Sequence, residues 1–201
     1  MPDWIRVVDK RTRARSKTVT NFLELSANAC SSNTHSLCLG ILQHHKDDDW
    51  FHNTHAFLTL NARFTRELQV AMGNDASMRA GFVGHISIEL LLDAALIENS
   101  PAELATYYRV LDSLDHAAIE TSLGQILGRP IERVAKLIRR FSIERFMYDY
   151  LEDARLLRRL NQVMVRVGLA ALPNSILDWL PSARQSVYQE CDALLTQPQS
   201  L

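Results

Sequence analysis

Proline and glycine are scarce in this chain, six and seven residues among 201. A sandwich or barrel of short strands needs turn residues every eight to twelve positions or so, and they are missing here. The long intervals between them are rich in Leu, Ala, Arg and Glu, which favours helices, and the chain reads as all-α. Charge of one sign is lacking too. The formal net charge is −1 with 22% charged residues, so no global field points to nucleic acid or an acidic membrane as partner. Cys30, Cys38 and Cys191 are odd in number and have no CxxC spacing, which excludes a disulfide framework and a zinc ribbon. There is no unbroken run of about 18 apolar residues and no apolar core of a signal peptide at the N-terminus. The expectation is a soluble, cytoplasmic protein with no membrane partner. GxSxG, a Walker loop, GxGxxG followed by an acid, and HExxH are all absent, removing the hydrolase, nucleotide and zincin classes that depend on them.

What the chain does contain is helical periodicity. Its length suits one domain, a helical bundle over 19–201 preceded by a basic arm over 1–18. The arm carries Arg6, Lys10, Arg11, Arg13, Arg15 and Lys17 against Asp9. It is read as a solvated terminus, with a nucleic-acid or membrane contact as the competing use. Helices are expected at 19–31, 36–52, 55–72, 76–98, 101–112, 115–127, 130–139, 141–168 and 174–196. Ser100, Pro101 and Glu103 form a helix-start signal, Asn74 or Asp75 can cap the helix before it, and Pro130 is expected to open another. Ile143, Phe146, Met147, Tyr150, Leu151, Leu157, Leu160 and Val163 recur mostly at three or four residues, the stripe of one long amphipathic helix.

Two clusters carry the chemistry. In GFVGHISIELLLDAALI, residues 81–97, the strong polar groups are His85, Glu89 and Asp93, four apart in an otherwise apolar stretch. That spacing stacks them on one helix flank. A carboxylate in such surroundings costs several kcal/mol unless it is paired, hydrogen-bonded or bound to a cation. One solution is a satisfied histidine with carboxylates paired to arginines such as Arg63, Arg66 or Arg109. The other is a metal site. HHKDDDWFHNTH, residues 44–55, holds four of the seven histidines. His44, Asp48 and His52 repeat the i, i+4, i+8 pattern on a flank that begins with Leu37 and Ile41. Two facing helices of a bundle are one way to build a metal centre, which makes His44, Asp48, His52 and His85 candidate ligands. Glu89 and Asp93 then act as further ligands or move a proton. His45, Asp47 and Asp49 point elsewhere, and Asn53 or Thr54 can cap a new helix and turn His55 away. The donor set suits Mn, Fe, Zn or Mg, and a divalent ion with an open position suits hydrolysis of a phosphodiester substrate.

GILQHHKDDDWFHNTHAF and GFVGHISIELLLDAALIENSPAELATYYRVLDSL, with YLEDARLLRRLNQVMVRVG further on, resemble motifs of the bacterial acyl-carrier-protein phosphodiesterase family, helical metal-dependent hydrolases likened to the HD phosphohydrolase fold. The resemblance spans roughly residues 37–168. It places His44, Asp48 and His85 at the family's motif positions, with His52 where many members have an acid and Arg166 at the end of the late helix. It implies release of phosphopantetheine from acyl carrier protein, an acidic partner that exposed arginines such as Arg139 and Arg140, or the basic arm at 6–17, would recognise. The family's opening Asn-Phe-Leu-Ala-His segment is NFLELS here, with Glu24 and Leu25 in place of its last two residues, so either Glu24 or His35 supplies the further ligand or the active site is incomplete. A helical binding protein that keeps the polar flank as a hydrogen-bond network is the alternative from another class.

Overall fold

A computed structural model describes residues 5, 7–9, 11–26, 30–73, 75 and 79–197, and every regular element among them is helical. The helices are α1 Ser16–Leu25, α2 Ser32–His52, α3 His55–Ala71, α4 Ala80–Asn99, α5 Pro101–Ser113, α6 His116–Leu127, α7 Val134–Glu144, α8 Asp153–Val167, α9 Ile176–Gln189 and α10 Cys191–Leu195, with a 3₁₀ turn at Phe146–Leu151. The chain groups into two compact units, Met1–Asp49 with Thr106–Arg145, and Trp50–Ala105 with Phe146–Leu201.

Local chemistry sets the boundaries. Thr54 accepts the Phe57 N–H at the start of α3, and Asp115 accepts the Ala118 N–H at the start of α6, so each satisfies one of the orphan donors of a first turn. Pro101 is the first residue of α5, with Glu103 in its first turn. Gly128 and Gly168 end α6 and α8 at φ +66° and +79°, the left-handed position that glycine occupies without a Cβ clash.

Three expectations on element boundaries are corrected. Pro130 does not open a helix. It follows the Gly128 cap by two residues, where proline acts as a stop, and α7 begins only at Val134, after Arg133 in the left-handed region. The expected helix over 141–168 is broken: α7 ends at Glu144, Arg145 adopts φ +45°, and the 3₁₀ turn precedes α8. The stripe is accordingly split, with Ile143 71% exposed while Tyr150, Leu157 and Leu160 are buried. The expected helix over 174–196 divides at Glu190 into α9 and α10. Asn74 and residues 76–78 of the expected helix before Pro101 lie outside the described residues, as do Arg6 and Lys10 of the basic segment.

Among the described residues of the N-terminal segment in the first unit, Ile5, Thr12 and Ala14 are buried. Asp9 accepts bonds from the Arg11 N–H and the Thr12 hydroxyl and pairs with Arg129 at 2.8 Å, while the His45 ring bonds the Ala14 carbonyl at 2.6 Å. α1 packs on α6 and α6 on α7. Glu120 of α6 accepts the Ala135 N–H at 2.9 Å, placing a carboxylate at the first turn of α7, where the helix dipole favours it.

In the second unit α4 is the central rod, packed against α3, α8, α9 and the 3₁₀ turn. Val83, Ile88, Leu91, Ala94 and Ala95 of α4 meet Phe57, Leu60, Phe64 and Leu68 of α3 in one core with Leu156, Leu160, Ile176 and Leu180. By length and composition α4 could cross a membrane, although 56% of its apolar window is buried within the protein. Directional bonds tie its neighbours together: Trp179 donates to Glu67 at 2.8 Å, Tyr188 to Glu98 at 2.6 Å and Arg184 to Asp153 at 2.7 Å. Buried Asp149 accepts from Arg159 and Arg158. Burial opposes its charge, but those two guanidiniums outweigh the penalty and hold its carboxyl below the usual range.

α3 and α4 run antiparallel, since Phe57 meets His85 while Thr65 lies beside Gly81. They approach closely because α4 carries no side chain at Gly84, where a Cβ would stand 3.2 Å from Asn61 Oδ1, 3.3 Å from Phe64 Cβ and 3.4 Å from the Thr65 backbone nitrogen. Gly84→Ala is expected to destabilise the protein by about 1–3 kcal/mol, as overpacking does. Gly40→Ala, with nothing within 4 Å of the new methyl, should stabilise α2 by about 0.5–1 kcal/mol. Urea unfolding of the two variants beside the wild-type chain checks both signs.

Candidate metal centre

The sequence spacing on α4 survives in the structure. His85, Glu89 and Asp93 fall on successive turns of one flank, each half-buried. α2 ends at His52, and its imidazole reaches the middle of that flank. His52 Nε2 and His85 Nε2 each stand 3.0 Å from the same oxygen, Glu89 Oε1. The two rings are 4.4 Å apart between centroids at 33°. Phe57 packs against both in edge-to-face fashion, its ring centroid 4.7 Å from that of His52 and 4.9 Å from that of His85.

Among the described residues, His52, His85 and Glu89 are the group whose ligand atoms all lie within 4.8 Å of one another. His44 and Asp48, expected as ligands, do not belong to it. Along one helix four residues advance the chain by about 6 Å, so His44 stands two such steps before His52 and Asp48 one. The i, i+4, i+8 pattern on α2 therefore contributes its last member alone to this trio. Glu24 and His35, the two substitutes for a further ligand, are exposed on α1 and α2 and do not belong to it either. His55 is turned outward as the exposed first residue of α3, with Thr54 as the cap. Glu89, foreseen as a ligand or a proton carrier, is the residue both imidazoles share.

The electrostatics follow from that sharing. Burial by itself would raise the Glu89 pKa, but hydrogen bonds from His52 and His85, with their charge, bring it down to about 2. Its side chain keeps 40% exposure, so the pairing is partly screened by solvent. Asp93, one turn further, has no such relief: burial first, then the Glu89 charge, pushes its pKa up to about 7. Two carboxylates four residues apart are thus set at opposite ends of the acid range by their surroundings.

Two imidazole nitrogens and a carboxylate oxygen form a donor set that suits a borderline divalent ion such as Zn or Fe better than Mg, which prefers oxygen. Ligand atoms about 2.0–2.1 Å from a tetrahedral ion stand about 3.3 Å apart. The two 3.0 Å separations to Glu89 Oε1 need to widen by only a few tenths of an ångström, and all three donor atoms lie within 4.8 Å of one another, so the chemistry of the donor set is compatible with such an ion.

Stability should carry the mark of both acids. Glu89, whose folded pKa lies below its ordinary 4.5, contributes stability that is present above pH 4.5 and lost as pH falls toward 2. Asp93 has the opposite sign: its folded pKa lies above 3.8, so its contribution is full below about pH 4 and lost as pH rises through 7. Asp93→Asn is expected to raise the melting temperature by a few degrees at pH 8 and to leave it unchanged at about pH 3.5, below the unfolded pKa. Scanning calorimetry of the metal-free protein at the two pH values measures this.

Comparison of the chain with family models, with curated proteins and with solved structures gives no match.

Proposed function

We propose that the protein is a metal-dependent hydrolase acting on phosphodiesters, with His52, His85 and Glu89 as the residues that hold the ion. The observation that carries this reading is the convergence of three donor atoms from α2 and α4 within 4.8 Å of one another. When bound, a divalent ion there supplies Lewis acidity toward a phosphoryl oxygen and makes water more acidic. The chain's own residues supply the rest. Phe57 closes the floor of the site with a buried aromatic ring, which keeps water from the inner side of both imidazoles. Asp93, with a pKa of about 7, is poised to exchange a proton near neutrality, the range in which general acid–base catalysis is most effective. The motif resemblance extends the proposal to a phosphopantetheine-bearing carrier protein as the substrate. Such a partner is acidic, and Arg139 and Arg140 are exposed on α7 to meet it, Arg140 also pairing with Glu144 at 2.6 Å.

One observation favours a second reading. Glu89 Oε1 already satisfies both Nε2 atoms, so the trio is complete as a hydrogen-bond network without an ion, as a non-catalytic binding protein would require. Calorimetric titration with Zn²⁺ separates the two. The hydrolase reading expects one ion per chain, an affinity lowered at least about 100-fold in His85→Ala or Glu89→Ala, and hydrolysis of bis(p-nitrophenyl) phosphate that a chelator abolishes. Absence of binding by the wild-type chain, or equal binding by His85→Ala, removes this reading; binding without hydrolysis leaves the binding protein.

A further inference from the structure

Only Asn53 and Thr54 connect α2 to α3, and this connection lies between His52 and the ring that supports it. His52 is the last residue of its helix, a position where intrahelical bonds run out and the backbone frays. A side chain that must meet two others at a fixed distance needs a second constraint there. Thr54 supplies one. It is 3% exposed, and its hydroxyl uses both of its bonding roles: it donates to the Phe51 carbonyl at 3.0 Å and accepts the Phe57 N–H at 3.2 Å. An ordinary N-cap needs the acceptor role alone. The extra bond ties the last turn of α2 to the first turn of α3 through one oxygen. Its two partners are the residues that flank His52 with aromatic rings, Phe51 at 5.2 Å and Phe57 at 4.7 Å, and those rings stand 5.1 Å from each other. Phe57, 2% exposed, also touches His85, so whatever fixes it fixes the separation of both imidazoles.

We propose that Thr54 is a positioning residue of the centre, its hydroxyl setting the approach of the His52 imidazole to His85 and Glu89 by fastening Phe51 and Phe57 on either side of it. The inference rests on the metal reading for one arm of its test and stands without it for the other. Thr54→Val keeps the volume and the β-branch but neither bond; Thr54→Ser keeps both bonds and loses a methyl. The pair therefore separates the hydroxyl from the shape of the side chain.

The metal arm titrates Co²⁺ into the wild-type chain and the two variants, following the visible absorption of the bound ion while circular dichroism confirms equal helix content. Cobalt affinity should fall about 10–100-fold in Thr54→Val with an altered visible spectrum, and stay within about threefold of wild type in Thr54→Ser, the scale seen when support behind a ligand is lost. Equal affinity and spectrum in a folded Thr54→Val protein overturn the proposal. Should Thr54→Val not fold, Thr54→Ala is judged by the same criteria. The metal-free arm reads nuclear Overhauser contacts between the His52 and Phe57 rings, expected in the wild type and Thr54→Ser and weakened in Thr54→Val. Contacts unchanged in Thr54→Val overturn the proposal. A wild-type chain that binds no cobalt removes the metal reading, and the ring contacts then decide the role of Thr54 by themselves.

Discussion

A carboxylate charge held half-buried on an apolar helix is the constraint around which the second unit is organised. Glu89 stands at the tenth position of the 20-residue α4, where most of its neighbours are Ile, Leu and Ala, and burial among them opposes an unpaired charge at a cost that its 40% exposure moderates. The cost is offset by two imidazoles, one from its own helix and one from the end of another. The second of these cannot be supplied locally. It requires α2 to stop at His52 and the chain to turn within two residues, and it requires α3 to lie close enough to α4 for Phe57 to floor both rings. The short connection and the bare backbone at Gly84 serve that one geometric demand.

How much of this was legible in the sequence depends on whether the signal was periodic. The spacing of His85, Glu89 and Asp93 placed them on one flank because a helix repeats every 3.6 residues, and the all-α class followed from the scarcity of turn residues. His52 was legible for the same reason. The exclusion of His44 and Asp48 from the trio was not, because periodicity reports which way side chains point and says nothing of where along the axis a partner helix comes near. The break between α7 and α8 was hidden likewise: apolar residues keep their spacing from Ile143 to Leu160 while the backbone leaves the helix at Arg145. No glycine or proline marks that departure, and the ion pairs of buried Asp149 with Arg158 and Arg159, which fasten the turn, join residues nine and ten positions apart. The bridging role of Thr54 was half visible. Its position before a new apolar run identified a cap, but the bond back to Phe51 depends on the tight turn, which no propensity encodes.

The polar bonds inside the second unit have a common character. Trp179 with Glu67, Tyr188 with Glu98 and Arg184 with Asp153 each join helices with a directional contact at the margin of a core made mostly of Leu, Ile and Ala. Apolar packing alone tolerates helices that slide or rotate by a fraction of a turn, because hydrophobic contact has little directional preference. A hydrogen bond of 2.6–2.8 Å does not tolerate it. These pairs fix the register in which the apolar faces meet.

α4 also bears on how the chain is read as it is made. Its length and hydropathy match those of a segment that insertion machinery would accept, and an acidic side chain near the centre of such a segment raises the free energy of insertion by about 2.5–3.5 kcal/mol. Glu89 occupies that central position, with Asp93 one turn away. The charge that organises the site in the finished fold thus also disfavours partition of the nascent helix into lipid, before any of its partners has been synthesised beyond α3.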